Sequence, residues 1–158
     1  MTQATSKPDN QQQSLYESDL NLWLERTIDQ LKVGDLDNLD IANLIEELEG
    51  LAGRDRRELK SRLRILLEHI LKRCYVPMPR EFNGWERTIR EQRRQIRDLL
   101  KQSPSLKNIW LTNFTESFTD ALDEVRQEEG YKAINFPNTW QFSHDIEAVL
   151  NIDFWVDK

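Results

Sequence analysis

The stretch Trp85-Glu-Arg-Thr-Ile-Arg-Glu-Gln-Arg-Arg-Gln-Ile-Arg-Asp-Leu-Leu-Lys101 decides the fold class. Its apolar residues recur at the spacing of an α-helix and form one seam, made of Trp85, Ile89, Ile96 and Leu99. Basic residues follow steps of three and four and point away from that seam. We call them the basic ridge: Arg87, Arg90, Arg94, Arg97 and Lys101. The stretch therefore predicts an amphipathic helix whose basic ridge faces outward.

Two further seams predict helices before residue 54. One helix follows the capping box Ser14-Leu-Tyr-Glu17 and ends at Gly34. Its seam consists of Leu20, Trp23, Leu24, Ile28 and Leu31. The next helix begins near Asp40, with a seam of Ile41, Leu44, Ile45, Leu48 and Leu51. Since Gly50 and Gly53 weaken a helix, we expect a hinge between residues 50 and 54.

Proline and glycine mark the remaining boundaries. A third helix runs from about residue 55 to Cys74, and Pro77 and Pro79 end it, so that residues 76–84 form an ordered loop. The helix from Trp85 comes next. A fifth starts with Ser103 as N-cap and Pro104 in its first turn, and it extends to Gly130. After an irregular stretch, residues 144–150 form a short helix, and the segment Phe154-Trp155 docks on the domain.

The predicted fold class is all-α, because no stretch shows the apolar alternation of a half-buried strand. The architecture is a single-domain helical bundle of about five helices plus a short C-terminal helix. Residues 1–14 form a disordered tail, and residues 15–158 form the single helical domain, whose core the seams are expected to face. Large aromatic side chains on the seams are assigned to that core: Trp23, Trp85, Trp110, Phe114 and Phe118.

Cysteine content and hydropathy bear on the compartment. Cys74 is the only cysteine, so no intramolecular disulfide can form, and a reducing compartment, the cytoplasm, is expected. The N-terminus has no apolar run of the kind that a secretion signal needs. No apolar stretch approaches the roughly 20 residues that cross a bilayer. The chain is therefore expected to have no membrane partner.

Charge is segregated along the sequence. Residues 54–101 contain 15 Lys/Arg and 7 Asp/Glu, whereas the rest of the chain contains 7 and 21, within a net charge of −6. One interpretation of the basic ridge is contact with an anionic partner such as nucleic acid or an acidic protein. The other is an ordinary solvated helix with local ion pairs such as Glu86 with Arg90. The acidic balance of the whole chain favours the second.

Glutamates and a histidine suggest acid–base or metal chemistry. Glu46, Glu47 and Glu49 lie in one predicted helix, and His69 lies in the next. Helix geometry argues against a metal, since Glu46 points away from the seam while the other two lie on opposite flanks. We therefore predict no metal site and no cofactor, and expect these side chains to form ion pairs or hydrogen bonds.

Ordered motifs resemble a known family. They are Leu15-Tyr-Glu-Ser-Asp-Leu-Asn-Leu-Trp23, Asn43-Leu-Ile-Glu-Glu-Leu-Glu49, Ser61-Arg-Leu-Arg64, His69-Ile-Leu-Lys72, Trp85 through Arg93, and Ser103-Pro-Ser-Leu106. Over residues 15–156 the chain resembles the bacterial, largely cyanobacterial, domain of unknown function 29 family. The resemblance implies an all-helical intracellular domain and no established activity. The resemblance also implies that Trp85 and Arg90 occupy positions whose residues recur among members of the family. The other such positions form a candidate polar cluster: Glu46, Glu47, Glu49, His69, Lys72 and Arg93.

Three hypotheses for function remain open. The leading one is a non-enzymatic protein-interaction module that presents charged helix faces to a protein partner or to a second copy of itself. The second is nucleic-acid association through the basic ridge. The third is a metal-dependent or acid–base enzyme that uses Glu47, Glu49 and His69. The sequence leaves the question of enzymatic activity open and favours a non-enzymatic role, because it has segregated charge without catalytic spacing.

Overall fold

A computed structural model describes residues 10–156, apart from the side chains of residues 10 and 13. Its α-helices are α1 (Asn10–Ser18), α2 (Leu20–Val33), α3 (Ile41–Tyr75), α4 (Pro79–Gln102), α5 (Trp110–Gln127) and α6 (Ile146–Asn151). Two 3-10 helices, Pro104–Ile109 and Glu129–Tyr131, flank α5. No β-strand occurs among the described residues, and the prediction of an all-α fold is confirmed.

The first helix boundary differs from its prediction. Residues 1–9 of the predicted tail lie outside the described residues, whereas residues 10–14 belong to α1. The predicted single helix is interrupted at Asp19. The Asp19 side chain accepts a hydrogen bond from the Leu22 backbone nitrogen at 3.0 Å and caps α2. Gly34 ends α2 as predicted, with a φ of 75° that a residue bearing Cβ adopts at a cost.

The predicted separation into two helices at Gly50 and Gly53 is wrong, because α3 is one helix of 35 residues that runs through both glycines. The hinge between residues 50 and 54 stays a prediction, and the boundary between the two compact units of the chain falls there. Glycine in a helix interior costs about 1 kcal/mol relative to alanine, which weakens a helix without ending it. The predicted loop over residues 76–84 is also too long. Helix α4 begins at Pro79, since proline fits the first helical position, where its missing N–H leaves no hydrogen bond unmade. Pro104 begins a 3-10 helix, and α5 itself starts six residues later.

The chain divides into two compact units, Met1–Gly53 and Arg54–Lys158. The interpretation of residues 15–158 as one domain stays a prediction. We call Met1–Gly53 the N-terminal unit and Arg54–Lys158 the C-terminal unit. In the N-terminal unit α1 packs against α2 around Trp23, and the Tyr16 and Trp23 rings meet edge-on with their centroids 4.9 Å apart. Gln12 Nε2 donates to Thr27 Oγ1 at 3.2 Å and to Gln30 Oε1 at 2.9 Å. The core of this unit is therefore small and partly polar.

The C-terminal unit holds the main apolar core. Residues from the second half of α3 and from α4, α5 and α6 bury one another. Four of the five aromatic side chains assigned to a core are buried here, and the fifth, Trp23, is buried in the N-terminal unit. The segment after α5 adds a second aromatic layer, in which Phe154 stacks on Phe142 at 4.6 Å and meets Trp140 edge-on. Trp155 lies under the guanidinium groups of Arg73 and Arg93. The predicted docking of residues 154 and 155 is confirmed.

Arg93 connects α4 to the end of α6. Its side chain is buried, and its Nε donates to the carbonyl oxygen of Val149 at 3.0 Å. Its two terminal nitrogens donate to the carbonyl oxygen of Ile152 and, at 2.8 Å, to the carboxylate of Asp153. Burial lowers the pKa of Arg93, and Asp153 opposes that shift, so the group stays cationic at neutral pH. Carbonyls at a helix C-terminus lack partners within the helix, and Arg93 supplies them.

Among the described residues, no helix combines the length and the apolar character that crossing a bilayer requires.

We expect Arg93→Met to lower the free energy of unfolding by about 3 kcal/mol, because it leaves buried carbonyl oxygens without donors while keeping most of the side-chain volume. Arg94→Met is the matched control: its side chain is 58% exposed and pairs only within α4. Urea unfolding followed by circular dichroism measures both. Equal losses in the two variants would show that Arg93 contributes no more than a surface ion pair.

Candidate functional site

The glutamates of the candidate polar cluster belong to the N-terminal unit. Glu46 and Glu49 are exposed, and Glu47 is half-buried and accepts a hydrogen bond from the Tyr16 hydroxyl at 2.7 Å. That hydrogen bond, more than burial or the nearby charges, raises the pKa of Tyr16 to about 12. Glu47 therefore joins α1 to α3.

The other cluster members belong to the C-terminal unit, and each has its own partner. His69 Nδ1 lies 2.7 Å from the carbonyl oxygen of Ile65, so this nitrogen carries the proton. Lys72 forms an ion pair with Glu128 at 2.9 Å and lies over the Tyr131 ring. Glu47, His69, Lys72 and Arg93 thus all direct polar atoms to groups outside the cluster. Within residues 10–156, no three His, Cys, Asp or Glu side chains are grouped so that they could hold a metal ion.

The basic ridge is exposed along its length, but its members differ in their partners. Arg94 pairs with Glu91 at 2.7 Å and approaches Asp98 at 3.6 Å. Arg97 donates to the Leu150 carbonyl oxygen and, at 2.9 Å, to Asn151 Oδ1, so it also caps α6. Among the described contacts, the remaining three ridge residues have no ion pair, and these are Arg87, Arg90 and Lys101. Anion binding by the ridge stays a prediction.

A buried carboxyl that sequence reasoning missed is Glu68. Its carboxylate meets Arg64 at 2.5 Å, and burial raises its pKa despite the opposing charge of Arg64. From the sequence, the four-residue spacing of these two residues indicates an ordinary surface ion pair on a helix. Only the packing around α3 reveals that the acid is buried. With one neighbouring guanidinium as its partner, Glu68 is a component of the packing and not an open site.

The surface concavities of the C-terminal unit are shallow and open to solvent. One of about 580 Å³ is lined by Trp110, His144 and Glu147, among others. His144 Nδ1 lies 3.7 Å from Asp145 Oδ1 there, and both side chains are more than half exposed. Such a pair is screened by water, which keeps the interaction weak. A second concavity of about 500 Å³ includes Tyr75 and Phe136. Neither encloses a desolvated acid–base pair.

The most unusual feature of the surface is apolar. Of fourteen large apolar side chains that are exposed among residues 10–156, ten lie in the N-terminal unit. Eight of them come from the two seams that were predicted to face a core, and they are between 37% and 61% exposed. We call these eight the apolar face: Leu20, Leu24, Ile28 and Leu31 on α2, and Ile41, Ile45, Leu48 and Leu51 on α3.

The prediction that these two seams are buried is wrong for the eight residues. On α2 the protein interior takes Trp23 and Thr27, which lie on the side of the helix where α1 packs. On α3 no side chain before Leu59 is buried, although Leu44 is half-buried. The two seams are therefore apolar faces of amphipathic helices, and the described chain leaves them in contact with water.

The described residues form an all-α protein with an apolar helical face in its N-terminal unit. The family model of the domain of unknown function DUF29 matches residues 15–155, nearly the whole chain, and the protein belongs to this family. The family is one without an assigned function. No curated protein and no solved structure matches the chain.

We expect the His69 imidazole to titrate below pH 6.5, because burial lowers its pKa more than the Ile65 hydrogen bond raises it. The unfolded chain takes up this proton near pH 6.5 while the folded chain stays neutral. The free energy of unfolding should therefore fall as the pH drops from about 6.5 towards the folded pKa, and His69→Gln should remove that part of the slope. Nitrogen-15 NMR titration reports the pKa and the Nδ1-protonated tautomer. An imidazole that titrates at or above pH 6.5 would contradict this account.

Proposed function

We propose that the protein is a protein-interaction module and that it binds its partner through the apolar face. The exposure of eight large side chains at helical spacing in one compact unit carries the proposal. At roughly half exposure, eight such side chains present on the order of 800 Å², which is about what each partner contributes to a standard interface. Each helix carries four of the eight, and an exposed apolar stripe of a few hundred Å² on a monomer is often functional.

The spacing of the apolar face supports the same proposal. Leu20, Leu24, Ile28 and Leu31 follow steps of four, four and three, so they share one side of α2 over about three turns. Isolated exposed leucines are common on protein surfaces and need no partner. A stripe of this regularity is instead typical of helices that pack against another protein surface.

The two alternative functions have less support. A nucleic-acid role would use the basic ridge, but Arg97 is already hydrogen-bonded to the end of α6. Arg94 is neutralised by Glu91 and Asp98. An acid–base role would use the polar cluster, but Glu47 is hydrogen-bonded to the Tyr16 hydroxyl and His69 to the Ile65 carbonyl oxygen. For the compartment we propose the cytoplasm, on the ground that Cys74 is the only cysteine.

The test replaces part of the apolar face without breaking its helices. Ile28→Gln, Ile45→Gln and Leu48→Gln together remove three exposed apolar side chains and retain good helix formers. We expect this triple variant to bind the partner at least tenfold more weakly, since each buried aliphatic side chain contributes about 1.5 kcal/mol or more. Partners captured from a native lysate are identified by mass spectrometry, and the affinity is then measured with purified components.

The matched control is the double variant Leu111→Gln and Ile152→Gln, which changes exposed apolar residues of the C-terminal unit. It should bind as the wild type does, and both variants should keep the circular dichroism spectrum of the folded protein. Partner binding that is unchanged in the triple variant would refute the proposal. Light scattering on the wild type and the triple variant determines whether the partner is a second copy.

A further inference from the structure

We infer that the apolar face accepts a basic amphipathic helix of another protein, an inference that rests on the proposed function. The charge of the N-terminal unit supports this occupant. Residues 10–53 contain ten Asp/Glu and only two Lys/Arg, which are Arg26 and Lys32. Residues 54–156 contain 16 Asp/Glu and 18 Lys/Arg, so the acidic excess is confined to the unit that carries the apolar face.

Acidic side chains border the apolar face itself. Glu25 is three residues before Ile28, and Glu49 is four residues after Ile45, so each is a neighbour of that apolar residue on its helix surface. Both carboxylates are exposed, as are those of Asp29 and Glu46. Within the described chain, Asp29, Glu46 and Glu49 have no cationic partner. A cation on the partner would therefore meet a carboxylate that is free to pair with it.

The same charges argue against a second copy as the occupant. Two copies that paired through the apolar face would bring together two N-terminal units, each with eight excess negative charges over residues 10–53. At physiological ionic strength charges interact over about 8 Å, which is within the width of such an interface. Like charges across an interface disfavour that pairing, whereas a lysine- or arginine-rich surface is attracted.

The dimensions of the apolar face fit a helix. From Leu20 to Leu31 it extends about 17 Å along α2, which is the length of a partner helix of about 12 residues. Recognition of an amphipathic helix uses apolar anchors at spacings of three and four residues, with charged residues at the edges of the contact. The apolar face, bordered by Glu25 and Glu49, offers the complementary arrangement.

The experiment uses two 18-residue amphipathic peptides with the same leucine positions, one with lysine and one with glutamate at its polar positions. Fluorescence anisotropy against the full chain is measured at low and high salt. We expect the Leu/Lys peptide to bind at least tenfold more tightly than the Leu/Glu peptide, and to weaken as salt rises. The variant Glu25→Gln, Glu46→Gln and Glu49→Gln should lose this discrimination, whereas the control Asp123→Asn, Glu124→Gln and Glu129→Gln should keep it.

The outcomes separate this inference from the proposed function. Equal binding of the two peptides, lost in the Ile28→Gln, Ile45→Gln and Leu48→Gln variant, overturns the basic partner and leaves apolar docking in place. A dimer in light scattering that this variant abolishes assigns the face to a second copy, with the same consequence. Tight Leu/Lys binding that this variant retains overturns the inference, because charge alone would explain it, whereas the proposed function is refuted only by unchanged partner binding in the same variant. A wild type that binds neither peptide overturns the inference of a helical basic partner.

Discussion

The guanidinium of Arg93 attaches the end of the chain to the middle of α4. Helix α6 has only six residues, too few to be stable without tertiary contacts. Arg93 and Arg97 bond the carbonyl oxygens at its C-terminal end, and Trp155 lies against Arg93 on the next turn of the chain. With α6 held in this way, the mostly irregular segment between α5 and α6 can place its aromatic side chains against the core. The placement of α6 against α4 therefore depends largely on one buried cation.

Periodicity in the sequence identifies apolar faces but not what covers them. The seam that begins at Trp85 and the seam that begins at Leu20 follow the same helical rule, yet the first is buried and the second is largely exposed. Which face is covered depends on contacts between residues far apart in sequence. The sequence was sufficient to predict the all-α class, the end of α2 at Gly34 and the docking of Phe154 and Trp155. Each of these follows from local chemistry or from the burial of large aromatic rings.

The parts of the site that could not be predicted share a physical cause. Arg97 and Asn151 are 54 residues apart, and no local pattern distinguishes an arginine that caps a distant helix from one that faces water. The continuity of α3 across Gly50 and Gly53 was missed because a propensity penalty of about 1 kcal/mol is smaller than what the rest of a long helix supplies. Glu68 was missed because burial, unlike charge, is a property of the neighbours.

Helix α3 is unevenly supported along its length. Its side chains from Leu59 to Leu71 form part of the main core, whereas none of those between Ile41 and Glu58 is buried. A stretch of 18 residues is close to the length at which an isolated helix is marginal in water. Its backbone hydrogen bonds should open and exchange with solvent more readily than those further along the same helix. A partner that covers Ile41, Ile45 and Leu48 would protect those hydrogen bonds from opening. The affinity of the complex would then include the free-energy cost of ordering this stretch of α3.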